Sequence, residues 1–125
     1  MKAISVTTSP VPSGAYSQAM VVNGLVFVAG IGPYDPVTRT VVGTTIEEQT
    51  VRTLENIRAV LAAAGCDLSD VVNSTVYLAE LDRDWQAFDE TYRSLLTAPY
   101  PARATTGAVL KNILVEIAVV AAVPA

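Results

Sequence analysis

Hydrophobic residues follow two patterns along this chain. In some segments they form short, nearly continuous runs, and in others single hydrophobic residues recur every three or four positions. The continuous runs "KAISVT", "YSQAMVVNGLVFVAG" and "DVVNSTVYLAEL" predict strands. Asn23-Gly24 divides the second run and favours a two-residue hairpin turn, because both residues tolerate positive φ. Proline and glycine accumulate in "TSPVPSG" and "IGPYDPVTRTVVG", which predicts loops.

A helical period begins after Thr45, which has capping-box spacing to Glu48. Gly65 supplies a stop for this first helix. The apolar residues that define its buried side are Val51, Leu54, Ile57, Leu61 and Ala64.

A second helix is predicted to begin at a cap formed by Asp82 or Asp84 and to end before Pro99 and Pro101. Its predicted buried stripe consists of Trp85, Phe88, Tyr92 and Leu95. Two final strands, 103–109 and 113–122, are expected to meet at a turn near Lys111-Asn112.

The resulting order, three strands, helix, strand, helix and two strands, predicts a single α+β domain over residues 1–125, with one sheet and two helices on one face. The strands are too uniformly apolar for a sheet with one wet face. Only 16% of the residues are charged, against about 25% in ordinary soluble domains. We therefore expect an oligomer in which the sheet of a sister subunit covers the second face.

Charge and composition narrow the function. The net charge is −4 and the basic residues are dispersed, which argues against a nucleic-acid partner, ribonuclease activity included. The chain contains no run of about 18 apolar residues, so no membrane span is predicted. The N-terminus lacks the apolar core of a signal peptide, and a cytoplasmic location is therefore expected. The chain has no histidine and one cysteine, Cys66, which excludes histidine-dependent triads and predicts no metal site.

Two isolated charges stand in the final strands. Arg103 could hold a carboxylate bidentately, and Glu116 needs a partner or a function because burial of its charge is costly. If the two strands pair through a tight turn, Gly107 lies opposite Glu116 and Arg103 shares that side, roughly 13 Å away along the strand. The residues alone leave both a structural ion pair and a binding site open.

Other candidates have ordinary interpretations beside functional ones. Tyr16 opens a strand after a flexible loop and could simply be a rim residue, and the same holds for Tyr34 in "GPYDP". Asp89 could lie on a solvated helix face, and Cys66 has no activating base nearby in the sequence.

Four segments together, "SGAYSQAMVVNGLVFVAGIGPYDPVT", "AAAGCDLSDVVNSTVYLAEL", "FDETYRSLL" and "YPARATT…LVEIAVVA", resemble the Rid/YjgF family of reactive enamine and imine deaminases. The resemblance implies a chorismate-mutase-like fold and a homotrimer with clefts at the subunit interfaces. It also implies hydrolysis of 2-enamino and 2-imino acids, such as 2-aminoacrylate or 2-iminobutanoate, to 2-keto acids and ammonia, without a cofactor.

The same resemblance implies roles for individual residues. Arg103 matches the arginine that grips the substrate carboxylate, and Glu116 the glutamate that positions water or relays a proton. Tyr16 matches a cleft tyrosine, while Gly30 and Thr105 match positions that line the pocket.

Four positions depart from the family pattern. Thr105 stands where cysteine is common, and Thr106 where an apolar residue is usual. Ile31 replaces a polar residue, and Asp89 replaces an asparagine, which is expected to disfavour an anionic substrate near the pocket. These departures leave two alternatives, a deaminase or hydrolase specific for a larger amino or imino acid and a non-catalytic carboxylate-binding or chaperone-like trimer.

Overall fold

Two helices pack on one face of a single mixed sheet, which confirms the predicted α+β architecture. A computed structural model describes all 125 residues. The strands are β1 Lys2–Ile4, β2 Ala19–Val22, β3 Leu25–Ile31, β4 Val71–Leu78, β5 Ala102–Gly107 and β6 Val115–Ala122. The helices are α1 Ile46–Ala62 and α2 Leu81–Leu95. The order across the six-stranded sheet is β1-β2-β3-β6-β4-β5.

The predicted hairpin and first helix are both present. Asn23 and Gly24 join β2 to β3 with φ values of 50° and 74°, which are the left-handed conformations that the tight turn requires. At the start of α1, the Thr45 side chain accepts a hydrogen bond from the backbone N–H of Glu48, and the Glu48 carboxylate accepts one from the backbone of Thr45. This reciprocal cap is the one predicted from the spacing.

The predicted cap of the second helix is wrong. Glu80 precedes α2 and makes no side-chain capping bond, and Asp82 and Asp84 both lie within the first turn. Asp84 is buried and accepts a hydrogen bond from Arg83 at 2.9 Å. A carboxylate inside the first turn is still favourable, because it lies near the positive end of the helix dipole.

The predicted pairing of the last two strands is also wrong. β5 pairs parallel to β4, and β6 lies between β3 and β4, antiparallel to both. A parallel pair requires a crossover, and α2 supplies it between β4 and β5. Consequently Glu116 pairs with Tyr77 instead of Gly107, and Arg103 pairs with Ser74.

The two faces of the sheet differ in exposure. Alternate residues of β6, from Val115 to Ala121, are buried beneath the helices, whereas Glu116, Ala118 and Val120 are half-buried on the other face. That open face is largely apolar and includes Phe27, which is 45% exposed. None of the helices is both long and apolar enough to cross a lipid bilayer.

Asn56 fixes the segment that follows β3 to α1. Its side-chain amide donates to the carbonyl oxygens of Gly32 and Tyr34 at 3.0 and 2.9 Å, and the residue is 2% exposed. These bonds determine where Tyr34 lies.

We expect Asn56→Ala to lower the free energy of unfolding by about 2 kcal/mol, because it leaves two buried carbonyl groups without donors. Urea denaturation at one fixed protein concentration measures this. Glu55→Ala, a change at an exposed neighbour, should stay within about 0.5 kcal/mol of wild type. Equal effects of the two changes would show that Asn56 is not a structural anchor.

Candidate functional site

The sequence-predicted site residues lie in two separate cavities of the chain. The first has a volume of about 380 Å³ and contains Tyr16, Gly30, Ile31 and Glu116 in its lining. The second has a volume of about 300 Å³ and is lined by Asp89, Tyr92, Arg93, Tyr100, Pro101 and Arg103.

Gly30 permits the close approach of Glu116 in the first cavity. A Cβ atom at position 30 would lie 2.7 Å from Oε2 of Glu116, closer than any ordinary contact. The carboxylate therefore rests directly against the backbone of β3. No side chain other than hydrogen leaves room for this arrangement.

Two tyrosines stand near that carboxylate. Burial raises the pKa of Tyr34 above its ordinary value, and the nearby charges of Glu116 and Tyr16 add to the effect. The Tyr16 hydroxyl accepts a hydrogen bond from the backbone N–H of Ser13 at 3.3 Å and remains half exposed. A carboxylate beside phenol donors can orient a water molecule and accept a proton from it.

Gln18 holds the loop that carries Tyr16. Its side-chain oxygen accepts from the N–H of Val6 at 2.7 Å, and its amide donates to the carbonyl oxygens of Val6 and Pro10 at 3.0 and 2.8 Å. The residue is 2% exposed and also lines the first cavity. It therefore fixes one wall of that cavity.

In the second cavity, Arg103 is held by a carboxylate and by aromatic rings. Its Nη2 donates to Oδ1 of Asp89 at 2.8 Å, and the two side chains are only 17% and 19% exposed. The guanidinium carbon lies 4.7 Å from the ring centroid of Tyr92 and 5.4 Å from that of Phe88. Trp85 completes the wall at 6.0 Å. Cation–π attraction and the ion pair together fix the arginine.

Only two of the four residues in the predicted buried stripe of α2 are fully buried. Phe88 and Tyr92 are buried, while Trp85 is 44% exposed and Leu95 is partly buried. Ser74 on β4 and the Tyr92 hydroxyl share a hydrogen bond of 2.8 Å, which orients the ring beneath Arg103. Burial raises the pKa of Tyr92, so its hydroxyl is neutral near pH 7.

Arg103 and Glu116 lie on opposite faces of the sheet in one chain. Glu116 shares a row with Tyr77 and Thr106, and strand neighbours in a row point to the same face. Arg103 is three residues from Thr106 on β5 and points to the helix side. The ion pair between them that the sequence left open is absent, and they do not flank one cleft within the chain.

Thr105 has the same strand parity as Arg103 and therefore points to the helix side, but it lines neither cavity.

Asp89 is not on a solvated face, since it binds both Arg103 and Arg93. The Arg103 guanidinium, together with Arg93, holds the pKa of Asp89 below its usual range. This carboxylate is consequently ionised near neutral pH.

Cys66 is separate from both cavities. It is buried, and desolvation, with a smaller effect of Asp70, raises the pKa of its thiol. The structure shows no group of three or more histidine, cysteine, aspartate or glutamate side chains arranged to hold a metal ion.

Sequence reasoning missed the part played by several residues. Arg39, a non-glycine residue with φ of 62°, lines the first cavity, as does Tyr34. Arg93 pairs with Asp89 at 3.2 Å, and their spacing of four residues on a helix was a signal for this. Gln18 stands at the start of an apolar strand, where a polar side chain needs internal partners.

Comparison with known proteins places the chain among relatives of similar length. It is 46% identical over 115 residues to a RutC family protein of Saccharolobus solfataricus, covering 90% of each chain. It is 35% identical over 122 residues to the 2-iminobutanoate/2-iminopropanoate deaminase of Rattus norvegicus, covering 96% of this chain and 88% of that one.

The fold is similarly matched by solved structures. The crystal structure of RidA from the Antarctic bacterium Psychrobacter sp. superposes with a TM-score of 0.91 at 32% identity and covers 98% of this chain and 99% of that one. The family model described as Endoribonuclease L-PSP matches residues 6–123. Sequence, fold and family model agree, and the chain belongs to the Rid/YjgF family.

Proposed function

We propose that this protein hydrolyses small 2-imino acids, and the 2-enamino acids that tautomerise to them, to 2-keto acids and ammonia. The observation that carries the proposal is Arg103, a guanidinium fixed against aromatic rings with one donor bound to Asp89. Its remaining N–H groups border a cavity of about 300 Å³, where they suit a substrate carboxylate. The deaminase name of the rat relative supports the same reaction.

We further propose that the complete site forms between neighbouring subunits of a homotrimer. In one chain, Arg103 lies on the edge strand β5 and faces the helices, whereas the Glu116 carboxylate lies on the open face of the sheet. A head-to-tail interface joins two different surfaces of identical chains, so in a closed ring each Arg103 cavity can meet the Glu116 cavity of the next subunit. The apolar open face supplies the surface for such an assembly.

The reaction needs orientation more than a strong nucleophile. Arg103 binds the substrate carboxylate and holds C2 near a water molecule, while Glu116 accepts a proton as the water oxygen bonds to C2. The nitrogen takes up a proton as the C=N bond becomes a C–N single bond, which gives a carbinolamine. The carbinolamine hydroxyl then loses its proton, the nitrogen gains one, and the C–N bond breaks as the C=O bond forms and ammonia leaves. For an enamine, protonation at C3 first gives the iminium ion, which loses an N–H proton to give the imine.

A second candidate is a deaminase or hydrolase acting on a larger amino or imino acid. It is favoured by the departure at Ile31, which lines the first cavity, and by the extent of that cavity beyond Glu116 to Tyr34 and Arg39. A panel of imino acids of increasing side-chain size, generated in the assay by an amino-acid oxidase, separates the two. Wild-type inactivity across the panel, with keto acids still bound, would instead favour a non-catalytic carboxylate-binding trimer.

Arg103→Ala should lower kcat/KM for 2-iminobutanoate by about a hundredfold, because it removes the charged anchor of the substrate. Keto-acid formation in the coupled assay measures this, and size-exclusion chromatography checks the assembly. Arg58→Ala removes an exposed arginine that pairs with Asp67 and should leave activity unchanged. Full activity of the Arg103 variant would refute the assigned mechanism.

Mixing two impaired variants tests the shared site. Arg103→Ala and Glu116→Gln should each keep only about a hundredth of wild-type activity alone. When they are unfolded together and refolded as mixed trimers, about a quarter of wild-type activity should return, because some interfaces then combine an intact Arg103 with an intact Glu116. A site contained within one chain would give no recovery.

Gly30→Ala should lower kcat by at least about tenfold, since the added methyl group must displace the Glu116 carboxylate that lies 2.7 Å from it. The free energy of unfolding should change by less than about 1 kcal/mol, because the end of a flexible side chain can move aside. Gly107→Ala is the matched control, as its methyl group would meet Leu81 at an ordinary 3.5 Å. Equal activity of both variants would mean that the position of Glu116 is unimportant.

A further inference from the structure

We propose that Asp89 determines substrate specificity by restricting the Arg103 cavity to substrates with a single carboxylate. This inference rests on the proposed function and adds a substrate class to it, the monocarboxylic imino acids. Asp89 would act through Arg103 as a positioning residue and, through its own charge, against a second anionic group.

The contacts of Asp89 show how it positions the anchor. Oδ1 accepts from Nη2 of Arg103 at 2.8 Å, and Oδ2 accepts from Nη2 of Arg93 at 3.2 Å. Each carboxylate oxygen therefore has an arginine partner. Arg93 is 66% exposed, whereas Asp89 is 19% exposed, so the aspartate is held from the solvent side and directed towards Arg103.

The aromatic rings around Arg103 leave some of its N–H donors free. Tyr92 and Phe88 lie against the guanidinium group at 4.7 and 5.4 Å and provide no hydrogen-bond acceptor through their rings. A guanidinium group has five N–H donors in a fixed fork, and Asp89 accepts one of them at 2.8 Å. One carboxylate can therefore bind Arg103 while Asp89 remains in place.

The charge of the cavity fixes how many carboxylates it accepts. Arg93 and Arg103 contribute two positive charges and Asp89 one negative charge, and the other lining residues, Tyr92, Tyr100 and Pro101, carry none at neutral pH. The resulting net charge of +1 is balanced by a single carboxylate. Within this cavity a second carboxylate would find both arginines already paired with Asp89, and it would lie beside Asp89, where low solvent exposure strengthens the repulsion.

The other cavity does not alter this balance. Its charged lining residues are Arg39 and Glu116, one of each sign. A cleft that combines the two cavities would thus keep a net charge of +1. The alternative is a purely structural role, in which Asp89 only stabilises the fold through its ion pairs and affects all carboxylate substrates equally.

Asp89→Asn separates these interpretations. The test compares kcat/KM for an imino acid with one carboxylate, 2-iminobutanoate, and one with two, 2-iminoglutarate, each formed in the assay by an oxidase. Calorimetry on the non-reacting 2-oxobutanoate and 2-oxoglutarate compares their dissociation constants. We expect the preference for the monocarboxylate to fall by about tenfold in both measurements, equivalent to about 1.4 kcal/mol.

Glu90→Gln is the matched control, because it removes one negative charge from the exposed neighbour of Asp89 and should leave the preference unchanged. Arg93→Gln provides a second variant at an exposed position and should weaken the binding of both ligands while keeping the preference for the monocarboxylate. An unchanged preference in Asp89→Asn, or an equal loss for both ligands, overturns the inference. Absence of turnover in the wild type overturns the proposed function instead, and the calorimetric comparison still decides the role of Asp89.

Discussion

The insertion of β6 between β3 and β4 is the constraint on which the rest of the structure depends. It places Val115 and Ile117 beneath the helices and turns Glu116, the residue between them, to the open face. It also brings β6 alongside β3, where Gly30 lets the carboxylate approach the backbone. Because β6 occupies the centre, β5 is left at the sheet edge in parallel with β4, and Arg103 reaches the aromatic side of α2.

The sheet topology accordingly separates two charged groups that are close in sequence. Thirteen positions separate Arg103 from Glu116, yet they border different cavities on different faces. Each has its own support: Arg103 has Asp89 and three rings, whereas Glu116 has the backbone of Gly30 and the nearby tyrosines. Such independent supports let each group keep its position without the other, which is what a site shared between subunits requires.

Much of the fold was predictable because its signals are local. The Asn23-Gly24 turn and the capping box at Thr45 depend on residues a few positions apart, and both are present. Strand order is not local: the tight turn expected near Lys111-Asn112 implied a hairpin, but Asn112 with φ of 60° serves a connection between strands that are not neighbours. The error in register then placed Arg103 and Glu116 on one side. Asp89 was undervalued for a similar reason, since its partner Arg103 lies 14 residues away.

The pairing of Arg103 with Asp89 has a physical cost and a physical benefit. An arginine 17% exposed among aromatic rings has lost most of its hydration, and an unpaired charge there would be unfavourable. Asp89 offsets that cost but removes one positive charge from the cavity. Arg93, on the next turn of α2, restores it from a position in solvent. Together, Asp89 and Arg93 keep Arg103 ordered and leave the cavity with one net positive charge. An asparagine at position 89 could accept a hydrogen bond from Arg103, yet it would not balance its charge, so the identity of this residue sets how strongly the cavity attracts a second anion.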